Sequence, residues 1–195
     1  MRIAVPTAQN GLMLSDLIAH PDVRETMRLA GPVGVMAIHG GVEKHTASIA
    51  HVVADRTGAS RYVVTQPAAL GWHLPSTEYD PAQSAALERF LARVRTVVSI
   101  HGFGREHLRR SVLVGGTNAS LREQMAEALG RHTALDIVTG DRIPRGLRGM
   151  HPSNPVNLAR SGGVQLELSH SCRTPPHLEP LIDALVEVVE HAQAR

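Results

Sequence analysis

Val33-Gly-Val-Met-Ala-Ile38 runs into His39-Gly-Gly41, and Val97-Val-Ser-Ile100 runs into His101-Gly-Phe103. Apolar runs of this length, entered and left through turn residues, suit buried strands of a parallel sheet. Both end in the same three letters, Ile-His-Gly. In open α/β sheets, ligands gather in the crevice beyond the carboxyl ends of the strands. An imidazole there can bind a metal, and the glycine after it lets the backbone turn sharply. Glu43 lies four residues beyond His39, where the spacing predicts the opening of a helix. Two histidines and a carboxylate at one sheet edge match a catalytic zinc site with a position left open for water.

Outward from these strands the chain alternates between the two periods. A short helix is expected around Asp22–Leu29, a strand over Val33–Ile38, a helix over Glu43–Thr57 and a strand over Arg61–Thr65. After a long loop, 66–81, a helix is expected from Gln83 to Val94, with Leu87, Leu91 and Val94 facing inward. Strands follow at Val97–Ile100 and Ser111–Val114, then a helix capped by Asn118 and a strand at Ala134–Val138. Residues 140–157 are rich in Gly, Pro, Arg and His and read as an irregular loop of the kind that serves active sites. A strand at Val164–Leu168 and an amphipathic helix at Leu178–Ala194 close the chain. This alternation predicts a three-layer α/β fold with a mostly parallel or mixed central sheet flanked by helices. One domain is expected over 1–195, with 1–32 as an N-terminal extension packed on the core.

Composition bounds the function. The 195 residues carry a formal net charge of only +2, with 3% aromatics, so stacking platforms for nucleic-acid bases are not expected. Lys44 is the sole lysine, and the remaining basic residues are arginines, whose planar fork suits carboxylates. The single cysteine, Cys172, excludes an internal disulfide framework and fits a reducing compartment. Met1–Pro6 resembles no leader peptide, and no stretch approaches the roughly 18–20 apolar residues of a membrane span. A cytoplasmic monomer with neither nucleic-acid nor membrane partners is the expectation.

Gly163-Val-Gln-Leu-Glu-Leu-Ser169 alternates, with Val164, Leu166 and Leu168 on one side and Gln165, Glu167 and Ser169 on the other. With both faces covered, the polar side must look into a cleft, because a buried unpaired carboxylate is costly. Glu167 then suits a general base towards a metal-activated water. On an edge strand, Glu167 would simply be solvated. Ordinary readings also exist for the proposed ligands: the chain has 12 histidines, and Glu43 in a first helical turn is favoured by the macrodipole alone.

Ala37-Ile-His-Gly-Gly-Val-Glu43 with Thr46 and Ile49, Val98-Ser-Ile-His-Gly-Phe103, Val112-Leu-Val-Gly-Gly116 and Gly163-Val-Gln-Leu-Glu-Leu168 resemble the poly-γ-glutamate hydrolase family. The resemblance runs from about Ala37 to Arg173. It implies a phage-type zinc depolymerase with a zinc carboxypeptidase-like fold. It makes His39, Glu43 and His101 the zinc ligands and Glu167 the catalytic base, acting on γ-glutamyl linkages of an acidic polymer. Three residues separate His39 from Glu43, against two in the usual carboxypeptidase His-x-x-Glu, and the Gly-Gly turn is expected to absorb the extra one. The family segment His-x-Thr-Ser-x-x-Phe-Asp is echoed by His73-Leu-Pro-Ser76-Thr-Glu-Tyr79-Asp80, with Pro75 for threonine and Tyr79 for phenylalanine. His73 is thereby a candidate for substrate binding.

Arg173, just past the catalytic strand, is the first choice to clamp a substrate carboxylate in bidentate fashion. Arg105, Arg145 and Arg148 are weaker choices. Asn154 and Asn157 either contact substrate or build turns. Two other readings stand: a zinc amidohydrolase of small N-formyl or N-acetyl amino acids, and a catalytically silent metal- or anion-binding module.

Overall fold

The computed structural model of the protein describes residues 11–195, so the reading of Met1–Pro6 lies outside the described residues. Seven strands form one mixed sheet: β1 (Arg24–Arg28), β2 (Val33–Gly40), β3 (Ser60–Thr65), β4 (Thr96–Phe103), β5 (Ser111–Gly115), β6 (Asp136–Thr139) and β7 (Gly163–Ser169). Their spatial order is β1-β3-β2-β4-β7-β5-β6. The five helices are α1 (Leu14–Ala19), α2 (Thr46–Thr57), α3 (Ala85–Arg93), α4 (Ala119–His132) and α5 (Leu178–Gln193). The β3-β2-β4-β7 block is parallel, and the antiparallel pairs are β1·β3 and β5·β7. No helix among the described residues is long and apolar enough to cross a membrane.

The expected helix at 22–29 is instead strand β1. Period two explains it: Glu25 and Met27 face one way, opposite Val64 and Tyr62, while Arg24 and Arg28 face the other. Tyr62 Oη donates to Glu25 Oε1 at 2.6 Å, and Arg28 pairs with Asp55 of α2 at 2.6 Å. A strand-edge partner thus outweighs the local helical preference. The helix expected from Glu43 begins at Thr46, and the turn between them is held by Thr46 Oγ1 donating to the Glu43 carbonyl at 2.8 Å. Caps fix two other starts: Ser84 Oγ accepts from Leu87 N, and Asn118 Oδ1 from Leu121 N, both at 3.0 Å.

Alternation along the strands sorts the core into layers. Val35, Val98, Ile100, Val112, Val164, Leu166 and Leu168 share one apolar layer with residues of α2, α4 and α5. On the other face, Met36, Ile38, Tyr62, Val64 and Val97 pack with α1 and α3. A third cluster, Phe103, Leu113 and Ile143, covers the far end. Between the second and third clusters, the inward residues of β4 and β7 are Ser99, His101, Gln165 and Glu167, all buried yet polar. The face under α2, α4 and α5 is therefore apolar through its centre, with Arg24, Arg28 and Arg61 at its β1·β3 edge, and the other face carries a polar strip across its middle. The chain leaves β2 for β3 on one side and returns to β4 on the opposite side, so the strip ends at a switch point of the topology.

Leu185 is fully buried on α5 within the larger cluster. Truncating it removes transfer energy and leaves a cavity, at about 2–5 kcal/mol for such sites. Leu185→Ala is expected to lower the thermal midpoint by roughly 5–15 °C in calorimetry, at about 2–4 °C per kcal/mol for a chain of this size.

Candidate metal centre

His39 ends β2, and its aim depends on a break in regularity. Between Ala37 and Gly40, β2 advances three residues while its neighbour β3 advances two, from Val63 to Thr65. Strict alternation would send His39 to the side of Ala37, into the layer under α2 and α5. The irregularity re-aims it, as bulges do next to functional sites. Its ring now lies 5.0 Å from that of His101 and 4.4 Å from that of His73, centroid to centroid.

Gly41 absorbs the extra residue between His39 and Glu43. Its φ is +87°, and a Cβ there would fall 2.0 Å from the Gln66 carbonyl oxygen, so only glycine fits the turn. Glu43 N donates back to the His39 carbonyl at 2.8 Å, which folds the carboxylate towards the imidazole. Glu43 Oε1 stands 2.9 Å from His39 Nδ1 and 3.2 Å from His73 Nε2. Oε2 accepts from Gly102 N of β4 at 2.8 Å and lies 3.7 Å from His101 Nδ1.

The two buried histidines have their outer nitrogens committed. His39 Nε2 meets the Leu74 carbonyl at 2.9 Å, so it must carry a proton. His101 Nε2 meets Ser99 Oγ at 2.9 Å. Both Nδ1 atoms point inward, 3.2 Å apart, with His39 Nδ1 facing Glu43 Oε1 at 2.9 Å. Two imidazole Nδ1 atoms and an ionised carboxylate facing one gap can share a proton or bind a cation between them. This donor set, hard carboxylate with two borderline nitrogens, fits a divalent metal such as zinc. Outer nitrogens held by backbone or hydroxyl groups are the usual support of metal-binding histidine. His39, Glu43 and His73 likewise each offer a ligand atom, all within 4.8 Å of one another.

Electrostatics sharpen these roles. Burial by itself would raise the proton affinity of Glu43. The hydrogen bonds from His39 and His73 and the charge of the surrounding histidines overcome it and hold the carboxyl well below the usual range. Burial pushes His101 down to about 4, so the ring is neutral at pH 7. The hydrogen bond to Glu43 raises His73. Glu167, beside His101 in the β4·β7 register, is pushed up to about 8 by burial and then by the charge of Glu43.

Glu167 is 5% exposed and is held in line. Gln165 Nε2 donates to Glu167 Oε1 at 2.8 Å, and Asn154 Nδ2 donates to Gln165 Oε1 at 2.8 Å. Asn154 thus orients the carboxylate through Gln165. Asn157 has a different setting: its amide spans Thr117 Oγ1 at 2.8 Å, the Gly149 carbonyl at 2.7 Å and the His151 carbonyl at 2.9 Å, fastening the 149–157 loop. Arg173 is also occupied. Only 5% exposed, it lies against Gly102, donates to the Lys44 carbonyl and reaches the Ser169 carbonyl at 3.4 Å. Arg148 braces the 141–148 loop through the Ile143 and Asp141 carbonyls. His73 is half-exposed over the Glu43 carboxylate. Cys172 is buried against Ser169, and burial raises its thiol, which leaves it inert.

Sequence reasoning passed over the supports: the Leu74 carbonyl, Ser99 and Gln165. Ser99 and Gln165 carried a signal, since each lies two residues before a proposed reactive residue on the same strand face. Leu74 carried none, because a backbone carbonyl has no letter of its own. Tyr79 is likewise a support: its Oη donates to the Ile38 carbonyl at 2.6 Å and pins the 66–84 loop over His39.

A mixed sheet with helices on both faces and a His/Glu/His cluster at its switch point is an α/β architecture of the zinc carboxypeptidase-like kind. The family model described as "Poly-gamma-glutamate hydrolase" matches residues 15–175, and the chain belongs to that family. A bacteriophage poly-gamma-glutamate hydrolase superposes with a TM-score of 0.75 at 23% identity, covering 89% of this chain and 90% of that one. A zinc-free structure of YndL gives 0.75 at 20% identity, covering 88% and 91%. An N-acetylmuramoyl-L-alanine amidase of Nostoc punctiforme gives 0.53 at 11% identity, covering 85% and 99%. No curated protein matches the chain in sequence.

The raised Glu167 carboxyl has a thermodynamic signature. Its folded value of about 8 exceeds the unfolded 4.5, so the stability of the metal-free protein falls as pH rises through that window. Glutamine cannot ionise and keeps the acceptor for Gln165. In chelator-treated samples, the thermal midpoint of Glu167→Gln minus that of wild type is expected to grow between pH 5 and pH 8.5. A flat difference would contradict the assignment.

Proposed function

We propose that the chain is a zinc-dependent amide hydrolase that cleaves γ-glutamyl linkages of poly-γ-glutamate or a related acidic peptide. The observation that carries this reading is the convergence of His39 Nδ1 and His101 Nδ1 on the ionised Glu43, one strand from a buried Glu167. His39, Glu43 and His101 would hold the ion. Of the two possible third ligands, His101 is favoured over His73, because burial keeps its ring neutral and Ser99 fixes it. His73 then guards the open side and meets substrate. Zinc so held supplies a Lewis acid and brings water towards ionisation at neutral pH.

The remaining chemistry belongs to the chain. With a bound cation offsetting the charge of Glu43 that helps hold its proton, Glu167 would ionise, take the proton of the attacking water and pass it to the leaving nitrogen. Asn154 and Gln165 keep that carboxylate in one rotamer, so the proton moves along one line. The burial of this strip between two apolar clusters strengthens each of these interactions. Membership in the family speaks for a γ-linked polymer over small N-acyl amino acids, which would use the same residues. The sole buried thiol is in keeping with a reducing, cytoplasmic setting, and we take the active unit to be a monomer.

Release of free amine from poly-γ-glutamate by the zinc-loaded enzyme tests the reading. Glu167→Gln is expected to lower kcat by about 10²–10⁴-fold, the usual worth of general acid–base catalysis, with zinc content unchanged. Activity within a factor of two of wild type would remove Glu167 as the base.

A further inference from the structure

Beyond the ends of β4 and β7, the surface opens into a groove of about 350 Å³ walled by Phe103, Gly104, Arg105, Arg109, Ser169 and His170. Its inner edge is set by the strand register. Phe103 pairs with Ser169, and His101 pairs with Glu167 two residues earlier on the same strands. Two residues of strand span about 6.6 Å, so the groove starts roughly one substrate unit from the reacting groups.

The charges at its mouth are unequal. Arg109 is paired with Glu106, and these two cancel. Arg105 is exposed and makes no side-chain hydrogen bond or ion pair among the described residues. Arg173, in contrast, is committed to the Lys44 and Ser169 carbonyls beneath Gly102. A guanidinium with no side-chain partner among the described residues, beside an apolar wall at the ends of the strands that carry His101 and Glu167, suits an anionic group on a flexible hydrocarbon stem. A γ-linked glutamate unit has that form, with its α-carboxylate beside a run of methylenes.

Resting on the hydrolase reading above, we propose that this groove is a substrate subsite in which Arg105 binds the α-carboxylate of a γ-glutamyl unit one removed from the unit that carries the scissile amide. The methylenes lie along Phe103. Arg105 is a specificity-determining residue for polymer and takes no part in proton transfer. Binding there is charge-assisted and weakens as salt rises, since the contact is solvent-exposed.

The test is calorimetric binding of a γ-linked glutamate trimer and of a single N-acetyl-glutamate amide to zinc-loaded Glu167→Gln protein, with and without Arg105→Glu. The trimer is expected to bind at least tenfold more weakly to the double variant, with the single-unit ligand unchanged within twofold. In the active enzyme, Arg105→Glu should raise KM for the trimer by a similar factor with kcat nearly constant, and Arg105→Lys should recover part of it. Equal trimer affinity with and without Arg105→Glu would overturn the subsite. Tight, Arg105-dependent trimer binding with no cleavage by the active enzyme would instead overturn the hydrolase reading and leave the groove assignment standing.

Discussion

The site depends on a single carboxylate being kept ionised in a place where burial alone would protonate it. Glu43 is bound by the backbone N–H of Gly102 on one oxygen and faced by His39 and His73 on the other. Its charge then governs its neighbours: it raises His73 and helps keep a proton on Glu167. Two carboxylates close together with opposite tendencies are the pattern by which one site obtains both a ligand and an acid–base group.

That carboxylate is placed by backbone, and the backbone by two irregularities. The extra residue in β2 turns His39 away from the apolar layer, and Gly41 at positive φ swings Glu43 over the strand ends. His45 follows at φ 72°, an uncommon conformation for a residue with a side chain, just before α2 begins. Three departures from regular geometry, the β2 irregularity, Gly41 and His45, thus fall within the short segment that presents His39 and Glu43. The rigid layer under α2, α4 and α5 holds these departures in place.

Much of this was legible in the sequence for a physical reason. Buried parallel strands must be apolar throughout, so polar residues at Ser99, His101, Gln165 and Glu167 stand out against Val and Leu. Periodicity also located α3, α4 and α5 to within a few residues. What was hidden depended on partners distant in sequence. Arg24–Arg28 is a strand only because β3 offers an edge, and nothing local announces that edge. Arg173 reads as an available guanidinium until the fold brings Gly102 and the Lys44 carbonyl against it. Asn157, equally open in the sequence, spends its amide on the loop that carries it.

The central claim is that His39, Glu43 and His101 together hold one zinc ion. Titration of zinc into chelator-stripped protein at pH 7, by calorimetry, tests it most directly. The account predicts one equivalent per chain for wild type and for His73→Ala, and loss of stoichiometric binding in His101→Ala. Wild type that takes up no zinc, or His101→Ala that binds as wild type does, would contradict it.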